Sequence, residues 1–267
     1  MKKRPMLNGI VNRIANVGVE LEGGWDAPVP GYQVVHDGSV KFRGTGEPQI
    51  GVRTNPAGQL EQFIVEAPGR GGDNKKTIVR YAVGEIVSPI LQISQLENFV
   101  TKCYPPHVND TCGLHVHMSF THRLNYSRLM DPAFTPHIIR AILLWGKTQE
   151  IPKDHIFWER VTNERHPHCA HLYLGDKQVL QRGKDYHSRG TDYSRYTAIN
   201  YCDAQHQTIE CRVLPMFDTS QQALSAIMCV LDATNLFLSK IRQRERKTAG
   251  SVLERPMIFR EVGSVVQ

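Results

Sequence analysis

The chain has 267 residues, of which 40% are hydrophobic and 22% charged, with a formal net charge of +6. Those proportions exclude a disordered or fibrous chain, and the length buries a substantial core in one large domain or two small ones. No apolar run reaches the roughly 18 residues of a membrane helix, so no membrane partner is expected.

The basic start, Met1-Lys2-Lys3-Arg4-Pro5-Met6, leads into polar Asn8, Asn12 and Arg13 rather than an apolar signal core. A first strand is predicted from about Val11 to Gly23. A Gly- and Pro-rich loop follows, and His36-Asp37-Gly38-Ser39 reads as the turn of a hairpin joining Tyr32–Val35 to Val40–Phe42. Residues 43–76 read as irregular, the most loop-like piece being Gly69 to Lys76. A strand around Val83-Gly84-Glu85-Ile86-Val87 stops at Ser88-Pro89, and a helix from Gln92 to Cys103, started by Ser94, stops before Pro105-Pro106. Gly113 to Met118 is the next strand. One amphipathic helix is predicted from about Thr135 to Glu150, with Pro136 in its first turn, and another from about Thr219 to Arg246. Between them the His-rich stretch from Glu159 to Tyr193 reads as a mobile flap. Thr208 to Val213 is a further strand. Strands and helices mix without β-α alternation, which predicts an α+β fold in one domain, with an insert at about 43–82.

The chemistry lies in the alternation of four of these strands, because successive strand residues point to opposite faces. Glu20 and Glu22 share a face opposite Val19 and Leu21. His115 and His117 share one opposite Leu114, Val116 and Met118. Glu210 and Arg212 share one opposite Ile209, Cys211 and Val213. Glu85 is a single carboxylate in an apolar run, expensive to bury unpaired. Carboxylates with imidazoles and no thiolate suit hard divalent cations, Mg²⁺ or Mn²⁺. Without such a cation, converging carboxylates would raise one another's pKa. Arg212 reads as a fork for a phosphate oxygen rather than as the ion-pair partner of Glu210. Metal and arginine facing one cleft suit phosphoryl transfer from a nucleotide.

In this order, Gly18-Val19-Glu20-Leu21-Glu22, Asp37-Gly38-Ser39, Gly84-Glu85-Ile86-Val87-Ser88-Pro89, Cys112-Gly113-Leu114-His115-Val116-His117, an Arg195-Tyr196…Asn200 segment and Thr208-Ile209-Glu210-Cys211-Arg212 resemble the amidoligase family. That family belongs to the carboxylate–amine ligase superfamily with glutamine synthetase and glutamate–cysteine ligase. The likeness spans roughly Val17 to Met216, interrupted by the insert between Phe42 and Ala82. It implies an antiparallel sheet with a concave active-site face, ATP, and Mg²⁺ or Mn²⁺. It implies that Glu20, Glu22, Glu85, His115 and Glu210 hold metal, and that His115, His117 and Arg212 contact the nucleotide. Arg212, Glu210 and Arg195 become the catalytic candidates, with Asp37 and Asn200 in less defined roles. The expected substrates are a small-molecule or peptide carboxylate and an amine; assembly into a homo-oligomer is left open.

Other readings remain at this point. A metal-dependent hydrolase or phosphotransferase could use the same Glu/His face without making an amide. A basic nucleic-acid-binding protein is disfavoured, since the run Lys240 to Lys247 reads as a solvated helix end. The cluster His166, His168, Cys169 and His171 could bind zinc, though its spacing matches no closed structural site. Ala141 to Thr148 fits a loose phosphate-loop pattern, but Ile142-Leu143-Leu144-Trp145 is a buried helix face rather than small residues. Cys103, Cys112, Cys169, Cys202, Cys211 and Cys229 show no C-x-x-C pairing, which suits a reduced, cytoplasmic setting.

Overall fold

A computed structural model describes residues 13–35, 37, 39–40, 49–54, 60–65, 78–79, 82–122, 125, 128–171, 196–202 and 208–253. Among the described residues eight strands are seen: β1 (Ile14–Trp25), β2 (Gln49–Thr54), β3 (Leu60–Val65), β4 (Ile78–Val79), β5 (Ala82–Val87), β6 (Gly113–Phe120), β7 (Ile199–Cys202) and β8 (Thr208–Pro215). The helices are α1 (Leu96–Cys103), α2 (Phe134–Thr148), α3 (Ile156–Thr162) and α4 (Ser220–Leu253). The fold is α+β. Its centre is a five-stranded sheet in the order β5-β1-β6-β8-β7, with every neighbouring pair antiparallel. A three-stranded sheet, β2-β3-β4, stands beside it in the chain.

Alternation explains the central sheet. Val17, Val19 and Leu21 of β1, Leu114, Val116 and Met118 of β6, and Ile209, Cys211 and Val213 of β8 are all buried. They share one core with Phe99 and Val100 of α1, Ile138 and Ile142 of α2, Phe157 of α3, and Ile227 and Leu231 of α4. The polar residues of the same strands are thereby left on the other face. Burying a leucine or phenylalanine this fully stabilises by about 1.5–3 kcal/mol each.

The helix ends follow local chemistry. A 3₁₀ turn, Ile93–Gln95, precedes α1, and the Gln95 side chain accepts from the Gln92 backbone N–H at 2.7 Å, so Gln95 rather than Ser94 organises this start. Tyr104, forced out of helical geometry by Pro105, ends α1 at ψ 127°. The Thr219 hydroxyl accepts from the Gln222 N–H at 3.2 Å and caps α4. Residues Ser220–Ile241 of α4 are long and apolar enough by composition to cross a membrane. Ala223, Ile227, Val230, Leu231 and Leu238 of that segment are buried in the core.

Of the hairpin predicted at 32–42, residues 36, 38 and 41–42 lie outside the described residues; Val35 pairs with Glu85, their backbones exchanging hydrogen bonds of 2.8 and 2.9 Å. Two expectations change. Within 43–76, predicted irregular, lie β2 and β3; the surrounding Gly and Pro residues mask two short β-branched and aromatic runs. The stretch predicted as a flap begins as helix α3 and a packed turn with His166, Cys169 and His171 buried. Arg195 and residues 172–194 lie outside the described residues.

Candidate active site

Strand register gathers the polar residues. Glu20 stands opposite His115, Glu22 opposite Glu85, and Glu210 opposite both His117 and Asn200. Directly opposed residues have Cβ atoms about 4.5–5.5 Å apart, so their side chains touch. A β-bulge sets Arg212 and Val213 of β8 together against His115, because Leu114 pairs with Leu214 while Val116 pairs with Cys211. Gly84, at φ +154°, lets Val35 approach β5 so closely that a Cβ there would collide with the Val35 carbonyl. That approach brings Asp37 beside Glu85 and Glu22.

His115 is the hub. Its Nδ1 lies 2.7 Å from Glu20 Oε2 and 3.5 Å from Glu210 Oε1, and its Nε2 lies 3.4 Å from Glu22 Oε1. Glu22 Oε2 accepts from the Gly113 backbone N–H at 2.5 Å. His117 Nε2 lies 2.9 Å from Glu20 Oε1. Glu210 accepts from Asn200 Nδ2 at 2.9 Å and from Arg212 Nη1 at 2.5 Å. Arg212 therefore does pair with Glu210, against the sequence expectation. Two same-face residues of one strand lie within the reach of an arginine side chain, and a buried charge left without its partner would cost more than the pair does. Its guanidinium also sits 5.9 Å from the centre of the Tyr196 ring, while its Nε is buried without a hydrogen-bond partner.

Charge crowding shows in the proton affinities. Burial alone would raise Glu20, yet hydrogen bonds from His115 and His117 hold its carboxyl well below the usual range. Burial likewise opposes ionisation of Glu210, but Arg212 and the two histidines hold it low. His117 is carried up to about 10: burial works against its charge, but hydrogen bonds to Cys202 and Glu20 and the charge of Glu210 prevail. Among the described residues no histidine serves Glu85 in this way, and Arg212 offsets the rise only in part. Burial, then the charges of Glu20, Asp37 and Glu22, push it up to about 8. That is the signature of a carboxylate cluster short of positive charge.

The donors form sets of cation size. Single ligand atoms of Glu20, His115 and Glu210 lie within 4.8 Å of one another, as do those of Glu22, Asp37 and Glu85, and those of His117, Cys202 and Glu210. The second set is all oxygen and the first nearly so, which is the chemistry of Mg²⁺ or Mn²⁺. The residues present thus fit divalent metal, and the orphaned Arg212 donor, costing about 1–3 kcal/mol while unpaired, fits an anion beside it.

No protein-family model, no curated protein and no solved structure matches the chain.

The structure brings together Glu20, Glu22, Glu85, His115, His117, Glu210 and Arg212. Four further residues join them. Asp37 completes the oxygen set, and Asn200 and Cys202 flank Glu210 from β7. Arg160 of α3, 2% exposed, donates to the carbonyls of Cys112 and Arg212 on either side of the site. The alternation Ile199-Asn200-Tyr201-Cys202 was a legible strand signal for β7, whereas a single arginine on a short helix carries none. At the His-rich turn, Cys169 Sγ meets His166 Nδ1 at 3.2 Å, but among the described residues the three-ligand groupings lie on the sheet instead. Ala141 to Thr148 lies in helix α2, with Ile142 and Trp145 buried.

Proposed function

We propose that this chain is an ATP-dependent carboxylate–amine ligase, which activates a substrate carboxylate as its acyl phosphate and joins it to an amine. The observation that carries the reading is the pairing of two cation-sized donor sets with Arg212, whose buried Nε lacks an acceptor, on one face of one sheet. The ordered motifs shared with the amidoligase family support it.

Glu20, His115 and Glu210 would hold one Mg²⁺ or Mn²⁺, and Glu22, Asp37 and Glu85 another. When bound, such ions neutralise and orient a polyphosphate. The chain's own groups do the rest. Arg212, kept protonated by Glu210, Glu20 and Glu22 against the effect of burial, presents Nε to an oxygen of the transferring phosphoryl group. His115, with Nε2 3.4 Å from Glu22 Oε1 and Nδ1 toward Glu20, links the two donor sets. His117 adds positive charge at the floor. Arg195 is assigned, by the likeness alone, as a second anchor for phosphate or carboxylate.

The test is ADP release from Mg-ATP in the presence of pooled amino acids and short peptides, with Glu210→Ala as control. Release that requires both a pool and Glu210, with a product one water lighter than its summed substrates, is the expected result. Metal-dependent hydrolysis without ATP would replace the proposal with a hydrolase.

A further inference from the structure

We propose a second kind of cation site on this sheet: His117 of β6, Cys202 of β7 and Glu210 of β8 form a pocket for a thiophilic divalent ion, Zn²⁺ above all, and its occupation weakens binding of the hard ion held through Glu20, His115 and Glu210. The inference concerns metal alone and does not rest on the ligase reading.

Register builds the pocket. Glu210 is opposite His117 on one side and Asn200 on the other, and Cys202 is two residues beyond Asn200 on the same face. His117 Nε2 lies 3.7 Å from Glu210 Oε1, and Cys202 Sγ lies 3.8 Å from Glu210 Oε2. Zinc bonds of about 2.3 Å to sulfur and about 2.0–2.2 Å to nitrogen or oxygen give tetrahedral edges of roughly 3.3–3.7 Å. The two pairs, made to different Glu210 oxygens, stand slightly wider than these edges, and single donor atoms of the three residues lie within 4.8 Å of one another. Asn200 Nδ2 bridges Cys202 Sγ at 3.4 Å and Glu210 Oε2 at 2.9 Å, and so holds the two apart by a ligand's width. Both Cys202 and Glu210 are 3% exposed, so water competes weakly for them.

Sulfur decides the ion. Mg²⁺ avoids thiolate, whereas Zn²⁺ prefers it and outranks Mn²⁺ for mixed N, O and S donors. Binding releases the Cys202 thiol proton and the His117 ring proton to solvent, and nothing is oxidised or reduced. Competition follows because Glu210 Oε1, 3.7 Å from His117 Nε2, also faces His115 Nδ1, at 3.5 Å, in the hard-ion set. A carboxylate can bridge two ions, but it then divides one negative charge between two divalent cations that repel each other, so each ion weakens the hold on the other.

The experiment adds Co²⁺, as the spectroscopic form of the zinc site, to the purified full chain. A thiolate-to-cobalt charge-transfer band is expected in the near ultraviolet, erased by equimolar Zn²⁺, absent in Cys202→Ser and retained in Cys229→Ser. A band that survives Cys202→Ser overturns the proposal. Zinc-edge X-ray absorption on the wild-type protein makes the same test without a variant. One sulfur neighbour at about 2.3 Å supports the site, and nitrogen and oxygen alone overturn it. Bound Mn²⁺, followed by electron paramagnetic resonance, should leave as Zn²⁺ is added, with at least a tenfold weaker effect in Cys202→Ser; Mn²⁺ affinity unchanged by Zn²⁺ would contradict the competition. No nucleotide is used, so failure of the ligase assay leaves these outcomes unchanged.

Discussion

Each carboxylate on the polar face is distinguished by what it touches. Glu20 and Glu210 are compensated by histidines and Arg212, while Glu85 faces other carboxylates. Replacing Glu210 or Arg212 by alanine is expected to lower turnover by at least about 10²-fold, the scale of losing one preorganised charge contact, with the circular dichroism spectrum unchanged. Glu85 governs a pH effect. Its folded value, about 8, lies above its ordinary 4.5, so its contribution to stability is complete below the ordinary value and is lost as pH rises through about 8. His117, raised from 6.5 to about 10, adds loss in the same direction only above its ordinary value. Glu20 and Glu210, held low, contribute fully throughout this range. Metal-free protein should therefore lose melting temperature from about pH 5 upward. Glu85→Gln should flatten the lower part of that slope, from about pH 5 to about pH 6.5, and should remove most of the stabilisation by Mn²⁺. An unchanged slope in the variant would remove Glu85 from the cluster. Glu20, Glu22, His115, His117, Glu210 and Arg212 were legible because each sits in strict apolar alternation. Asp37 and Asn200 entered only through the resemblance, and Cys202 and Arg160 were not singled out, since a short edge strand and a short helix bring them in.

At the level of elements, the site depends on how closely backbones approach. Gly113 opens β6 between the two donor sets: a Cβ there would lie 2.9 Å from His115 Nε2, 3.0 Å from Arg160 Nη2 and 3.1 Å from Glu22 Oε2. These are the far ends of side chains, so the ligands give way before the backbone does. Gly113→Ala is accordingly expected to cost no more than about 1–3 kcal/mol in urea unfolding, while Mn²⁺ affinity measured by titration calorimetry drops tenfold or more. Equal Mn²⁺ affinity would show that His115 and Glu22 do not serve the metal. Long elements with one apolar face, β1, β6, β8, α2 and α4, were readable from period alone. The bulge at Arg212 and the bridge from Val35 to Glu85 were not, because both are set by partners distant in sequence.

For the whole molecule, an α+β fold followed from the order of elements, and the antiparallel sheet was expected from the resemblance alone. The β2-β3-β4 sheet was not expected, since turn residues dominate that region. On the proposed function, one sheet face would take both metal and nucleotide, so Mg²⁺ and ATP together should raise the melting temperature well beyond the sum of their separate effects. Simple additivity would mean separate sites. The most direct measurement follows an isotopic label placed in the carboxylate oxygens of the amino-acid and peptide pools during turnover. A carboxylate oxygen that attacks the γ-phosphorus, with ADP leaving, departs with the phosphate when the amine nitrogen takes the acyl carbon. The account predicts one labelled oxygen in each phosphate released. Phosphate released without the label, its new oxygen drawn from water, would contradict it.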